Sequence, residues 1–154
     1  MSYEVRAENV PPRPLAAIRG TTPRQQLGTE IRRLLDVVWP AVREQCVRTG
    51  HNVVLYHGAD GGTLLIEAGV ETFTRFVDRG DVRCSSTPAG EIATTAHHGA
   101  YSEMAPAYAA LEQWCRANRR RPSGVSWEVY GDWEDDSAKL RTDIYLLLEP
   151  QQAS

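Results

Sequence analysis

Glu128 stands in the run Trp127-Glu128-Val129-Tyr130, whose surroundings read as a β-strand. Alternation along a strand puts Glu128 and Tyr130 on one face, and Trp127 and Val129 on the other. A carboxylate on a sheet face lined with aromatic rings has two chemical uses. Desolvated, it attracts a cation; with a raised pKa, it takes a proton as a base. The plain alternative is an ion pair with an arginine across the sheet, or a carboxylate on an edge strand. Tyr130 is the aromatic neighbour that the spacing supplies. Trp127 points the other way and is expected to pack under a helix.

Other aromatic residues extend the candidate ligand-binding set. Tyr101 follows Gly99-Ala100 at a strand-to-helix junction, where loops often rim clefts. Tyr108 lies on an apolar helix face with Trp114, so it serves either the core or a ligand. Trp133, in the acidic run Asp132 to Asp136, reads as a lid or rim. Trp39, just before Pro40, can wall a cleft, and Tyr56 holds the place of Tyr130 in an earlier, similar stretch. If the site is catalytic, Glu128 acts as base and a tyrosine hydroxyl, Tyr101 or Tyr130, polarises the substrate carbonyl. His97 and His98 face opposite ways on a strand and no third ligand stands nearby, so no metal is expected. There is no phosphate-cradling glycine loop and no nucleophile elbow, and no cofactor is expected. Arg119, Arg120 and Arg121 read as a solvated helix end that favours an anionic partner.

These residues need elements to hold them. Residues 3–9 and 15–20 read as strands. Thr22 and Pro23 offer a cap and first position for a helix whose apolar residues run from Leu27 to Val42. Pro40 should kink that helix, which is expected to continue to about Thr49 and close at Gly50. Residues 53–57 and 63–68 form a hairpin. The series then restarts: strands at 82–86 and 91–97, a helix capped by Ser102, and strands at 126–130 and 140–148. The order strand–strand–helix–strand–strand occurs twice, with a period of roughly 75 residues. The expectation is one α+β domain over 1–150, with pseudo-repeats at about 1–78 and 80–150 and a tail at 151–154. A cleft at the junction of the halves would suit a small ligand.

Bulk properties narrow the classes. The 154 residues are 42% apolar, enough for a core, and the net charge of −3 argues against a nucleic-acid surface. No apolar run approaches about 18 residues, so no membrane span is expected. Three cysteines, an odd count with no CxxC spacing, and no signal-like stretch point to a cytoplasmic protein with reduced thiols. Cys115 falls on the apolar helix face and is read as a small core hydrophobe.

Four runs together carry a family resemblance: His98-Gly99-Ala100-Tyr101, Ala107 to Trp114, Trp127-Glu128-Val129-Tyr130, and Arg141-Thr142-Asp143-Ile144-Tyr145. As an ordered set they resemble the GyrI-like small-molecule-binding domain, the effector-binding domain of BmrR- and Rob-type multidrug-responsive regulators. The likeness is best over 90–148 and weaker before. It departs at Ala100, where the family commonly has proline. The chain is expected to be a stand-alone member, without a preceding helix-turn-helix. The resemblance implies an eight-stranded antiparallel sheet with two helices on one side and a cleft at the pseudo-dyad. It also implies that a buried glutamate, here Glu128, holds lipophilic cations among aromatics. Three functions follow from it. The first is binding of lipophilic, often cationic aromatic molecules for sensing or sequestration. The second is hydrolysis of cyclopropane-bearing DNA-alkylating natural products. The third is a protein contact with DNA gyrase or a regulator.

Overall fold

The computed structural model describes residues 2–151; the last three positions of the expected tail lie outside the described residues. Eight strands and two helices follow the duplicated order strand–strand–helix–strand–strand. They are β1 (Arg6–Val10), β2 (Pro14–Pro23), α1 (Leu27–Glu44), β3 (Thr49–Asp60) and β4 (Thr63–Thr72), then β5 (Arg83–Ser86), β6 (Gly90–His98), α2 (Ala105–Ala117), β7 (Pro122–Tyr130) and β8 (Arg141–Leu148). The fold is α+β, and every pairing within each unit below is antiparallel. Among the described residues no helix is long and apolar enough to cross a membrane.

Contacts divide the chain into two compact units. One spans Pro12–Pro88, with strands in the order β3-β4-β2-β5 and α1 packed on β2 and β4. The other takes the residues up to Pro11 and from Ala89 onward, in the order β1-β6-β8-β7, with α2 against β6.

In the first unit, Leu34, Val38, Ala41 and Val42 form the buried stripe of α1. The stripe recurs every three to four residues, which places it on one helix face. β2 and β4 approach so closely that a Cβ on Gly69 would lie 2.1 Å from the Ala16 carbonyl oxygen. In the second unit, Ala107, Leu111 and Cys115 of α2 pack on Ala93, Ile144, Leu146 and Leu148. Cys115 is therefore core, as its place on the helix face requires.

The helix ends differ from the sequence expectation, for local reasons. Thr22 does not cap α1: its hydroxyl donates to the Pro23 carbonyl, both residues stay in β2, and a short 3-10 turn at Arg24–Gln26 leads in. Ser102 likewise lies in a 3-10 turn, Tyr101–Glu103, and α2 starts at Ala105 with proline in its first turn. α1 passes through Pro40 but stops at Glu44, because Cys46 takes φ +53° and the Val47 amide bonds back to the Val42 carbonyl. Gly50 is thus a strand residue. α2 ends the same way, with Arg119 at φ +54° and the Arg120 amide on the Cys115 carbonyl. Two non-glycine left-handed caps at matching places are a second mark of the duplication.

Candidate functional site

β7 and β8 pair so that Glu128 lies opposite Ile144 and Tyr130 opposite Thr142. Ile144 belongs to the core beneath α2, so the Glu128 face is the helix-covered one. Glu128 is only 3% exposed. Two phenols hold it: the Tyr130 hydroxyl donates to Oε1 and the Tyr108 hydroxyl, from α2, donates to Oε2. Tyr130 reaches Glu128 because residues two apart on a strand share a face. Tyr108 reaches it from above, since its ring packs against the same core. A carboxylate that accepts charge-assisted bonds at both oxygens is fixed in position, and bonds of this kind are the strong ones.

A third tyrosine completes the cluster. The Tyr101 ring meets Tyr130 edge-on, with centroids 5.4 Å apart at 75°. Tyr101 remains 39% exposed and forms the outer surface of the cluster. Burial of the rest of its ring pushes its phenol above the ordinary value, so its hydroxyl stays a donor.

The loop that presents Tyr101 is held from below. Gly99 is buried at φ +140°, a conformation that side chains rarely adopt. The buried ring of His97 hydrogen-bonds to the Ala100 carbonyl through Nε2 (3.0 Å) and to the Tyr3 hydroxyl through Nδ1 (2.9 Å). A carbonyl only accepts, so Nε2 carries a proton. His97 is therefore a positioning residue for the Tyr101 loop.

Comparisons with known proteins identify the family and the fold. The profile of the GyrI-like small molecule binding domain matches residues 3–149. This chain belongs to the GyrI-like family. No curated protein matches it in sequence. Among solved structures, the GyrI-like chain is similar to the EcmrR C-terminal domain, at 21% identity and TM-score 0.77, covering 97% of this chain and 99% of that one. In the EcmrR–DNA complex the corresponding match has TM-score 0.78 and 21% identity, and covers 96% of this chain but 57% of the EcmrR chain. SAV2435 bound to tetraphenylphosphonium matches at 14% identity and TM-score 0.69, covering 97% of this chain and 94% of that one. At these identities the structures establish the shared fold.

Of the residues singled out by sequence in this GyrI-like chain, Glu128, Tyr130, Tyr108 and Tyr101 come together. Trp133 is 71% exposed on the segment after β7 and makes none of the hydrogen bonds or ring contacts that build the cluster. Trp39 and Tyr56 belong to the other unit. There Trp39 donates to the Asn52 side chain at 3.0 Å and carries the Arg43 guanidinium over its ring. Tyr56 pairs with Ile66 across β3 and β4. Trp127 is buried, but not beneath a helix. It stacks on Tyr145, its cross-strand partner, at 5.2 Å and 9° on the face away from α2. Sequence reasoning weighed His97 only as a metal ligand and gave Thr142 no role. The signal for both lay in strand register, which places them in one row with Tyr130.

Proposed function

We propose that this GyrI-like domain binds lipophilic, cationic aromatic small molecules, and that Glu128 is the residue that selects for charge. One observation carries the reading: a carboxylate at 3% exposure is held by the hydroxyls of two tyrosines, with a third tyrosine packed against them. A cation entering from the Tyr101 side meets ring faces first, which attract it through their quadrupole. It then meets a negative charge in surroundings of low polarity, where the attraction exceeds its value in water. The tyrosine hydroxyls give way and the rings remain as walls. Such a domain suits sensing or sequestration of the compound. The likeness to SAV2435, described with tetraphenylphosphonium, supports that cation as the first probe.

Titration calorimetry with tetraphenylphosphonium and neutral triphenylphosphine oxide tests this. Glu128→Gln should weaken the cation by about 10- to 100-fold, the worth of one charge-assisted contact. It should leave the neutral compound nearly unchanged. Equal weakening of both would contradict the proposal.

A second reading has its own support. Tyr101 keeps its proton and lies against Tyr130, so a phenol donor stands close to a carboxylate. Tyr101 would donate to a carbonyl conjugated with the cyclopropane of a DNA-alkylating natural product while Glu128 takes a proton from water; the water oxygen bonds to a ring carbon, one ring C–C bond breaks, and its electron pair passes to the carbonyl oxygen, which takes up a proton. It ranks second because both Glu128 oxygens already accept hydrogen bonds that a general base must release. Product formation followed by mass spectrometry, at no more than the rate of a Glu128→Ala control, would remove it.

A further inference from the structure

Thr142 sits in the middle of a three-strand row on the α2-facing side: His97 of β6 lies opposite it on one flank and Tyr130 of β7 on the other. It is 0% exposed, and its hydroxyl has no hydrogen-bond partner among the described residues. The neighbours show how unusual this is. The Thr94 hydroxyl donates to the Ile144 carbonyl and the Thr95 hydroxyl to the Glu4 carbonyl, each at 2.8 Å. Both flanking groups of Thr142 already have bonds, since His97 uses its two nitrogens on Tyr3 and Ala100, and Tyr130 donates to Glu128.

A buried hydroxyl without a partner destabilises a fold. Valine has the same shape, prefers strands at least as strongly and carries no such penalty. Folding therefore gives no reason for threonine here. The site does. Glu128 and Thr142 are diagonal neighbours on adjacent strands, with Cβ atoms roughly 7 Å apart. One residue, Tyr130, adjoins both: it is the cross-strand partner of Thr142 and the hydrogen-bond partner of Glu128. When its hydroxyl gives way and the ring stays as a wall, a carboxylate and a hydroxyl become available side by side.

We propose that Thr142 is the second polar anchor of the site, and that its ligand is an aromatic cation carrying a neutral hydroxyl or carbonyl oxygen two or three bonds from the charge. This rests on the cation-binding reading of Glu128. With the charge against Glu128 and the oxygen against Thr142, such a ligand spans the two anchors and supplies the bond that Thr142 lacks.

Two matched probes test it: benzyl(2-hydroxyethyl)dimethylammonium and benzyldimethyl(propyl)ammonium, which differ only by a hydroxyl in place of a methyl. The wild-type protein should prefer the hydroxyl compound by about 3- to 10-fold, the worth of one hydrogen bond. Thr142→Val should abolish that preference while melting at or above the wild-type temperature, and Thr142→Ser should retain it. Glu128→Gln should weaken both probes and leave their ratio intact. An unchanged ratio in Thr142→Val, or no preference in the wild type while Glu128→Gln still weakens both, overturns the inference alone. Affinities that Glu128→Gln leaves untouched overturn the reading of Glu128 and this inference with it.

Discussion

The two units share one chain plan and use their buried carboxylates in opposite ways. In the Pro12–Pro88 unit the face beneath α1 is apolar: Val54, Ile66, Ala68 and Val70 are each at most 1% exposed. Val54 stands two residues before Tyr56, as Glu128 stands two before Tyr130. The buried acids of that unit, Glu67 and Glu71, alternate to the face away from α1 and meet basic groups. Glu67 lies 3.0 Å from His57 Nε2, and Glu71 lies 3.5 Å from Arg13 while accepting the His51 amide at 3.0 Å. In the other unit a carboxylate replaces the valine beneath the helix, and tyrosine hydroxyls hold it. A basic partner ties a buried acid into the structure. Phenols position the carboxylate and bring no positive charge to it, as the proposed cation site requires.

The largest effect is expected at Gly69. A Cβ there would meet the Ala16 carbonyl oxygen at 2.1 Å and the Ala17 side chain at 2.6 Å, so β2 and β4 must separate. Gly69→Ala should cost about 3 kcal/mol or more in chemical denaturation. A loss below about 1 kcal/mol would show that the strands have room to move.

His57→Ala leaves Glu67 buried without its basic partner. A loss of about 1–3 kcal/mol is expected, reduced by the partial exposure of His57, with tetraphenylphosphonium affinity unchanged. Loss of affinity without loss of stability would erase the contrast between the two units. Tyr101→Ala removes an edge-on ring contact at the surface of the cluster. It should lower cation affinity about 3- to 10-fold and stability by no more than about 1 kcal/mol. Affinity equal to wild type would move the entrance elsewhere.

The smallest effect is alkaline. The Tyr101 phenol is raised by burial in the folded state, so the unfolded chain gives up this proton first as pH rises. The contribution is intact below the ordinary tyrosine value and is lost as pH climbs through the raised one. Tyr101→Phe should therefore show a slightly shallower fall in melting temperature between about pH 9 and 11. An identical slope in both proteins would show that the ring is effectively solvated.

Much of this was readable before the structure. The strand alternation at Trp127 to Tyr130 placed Glu128 and Tyr130 on one face, and the 3.6-residue spacing from Met104 to Cys115 found the helix that covers them. Periodicity reports faces reliably but not contacts between distant segments. Tyr108 was readable as a helix-face residue, and only tertiary packing brings its hydroxyl to Glu128. Trp127 was placed on the correct face and assigned the wrong cover, because alternation does not say which face the helix takes. Trp133, read from the acidic run as a lid or rim, is exposed as such a residue would be, and periodicity could not say whether it meets the cluster. The helix starts were misplaced where Thr22 and Ser102 looked like caps, because strand pairing and a 3-10 turn claimed those residues. Thr142 was unreadable without the register of β6, β7 and β8.

A crystal structure of the tetraphenylphosphonium complex decides whether Glu128 meets the ligand's charge. Phosphorus is expected within about 6 Å of the Glu128 carboxylate, with the Tyr101, Tyr108 and Tyr130 rings around it and the Tyr130 hydroxyl turned away. A cation seated instead in the groove between Tyr3, Val5, Pro106 and Trp114, with both tyrosine hydroxyls still on Glu128, would contradict it.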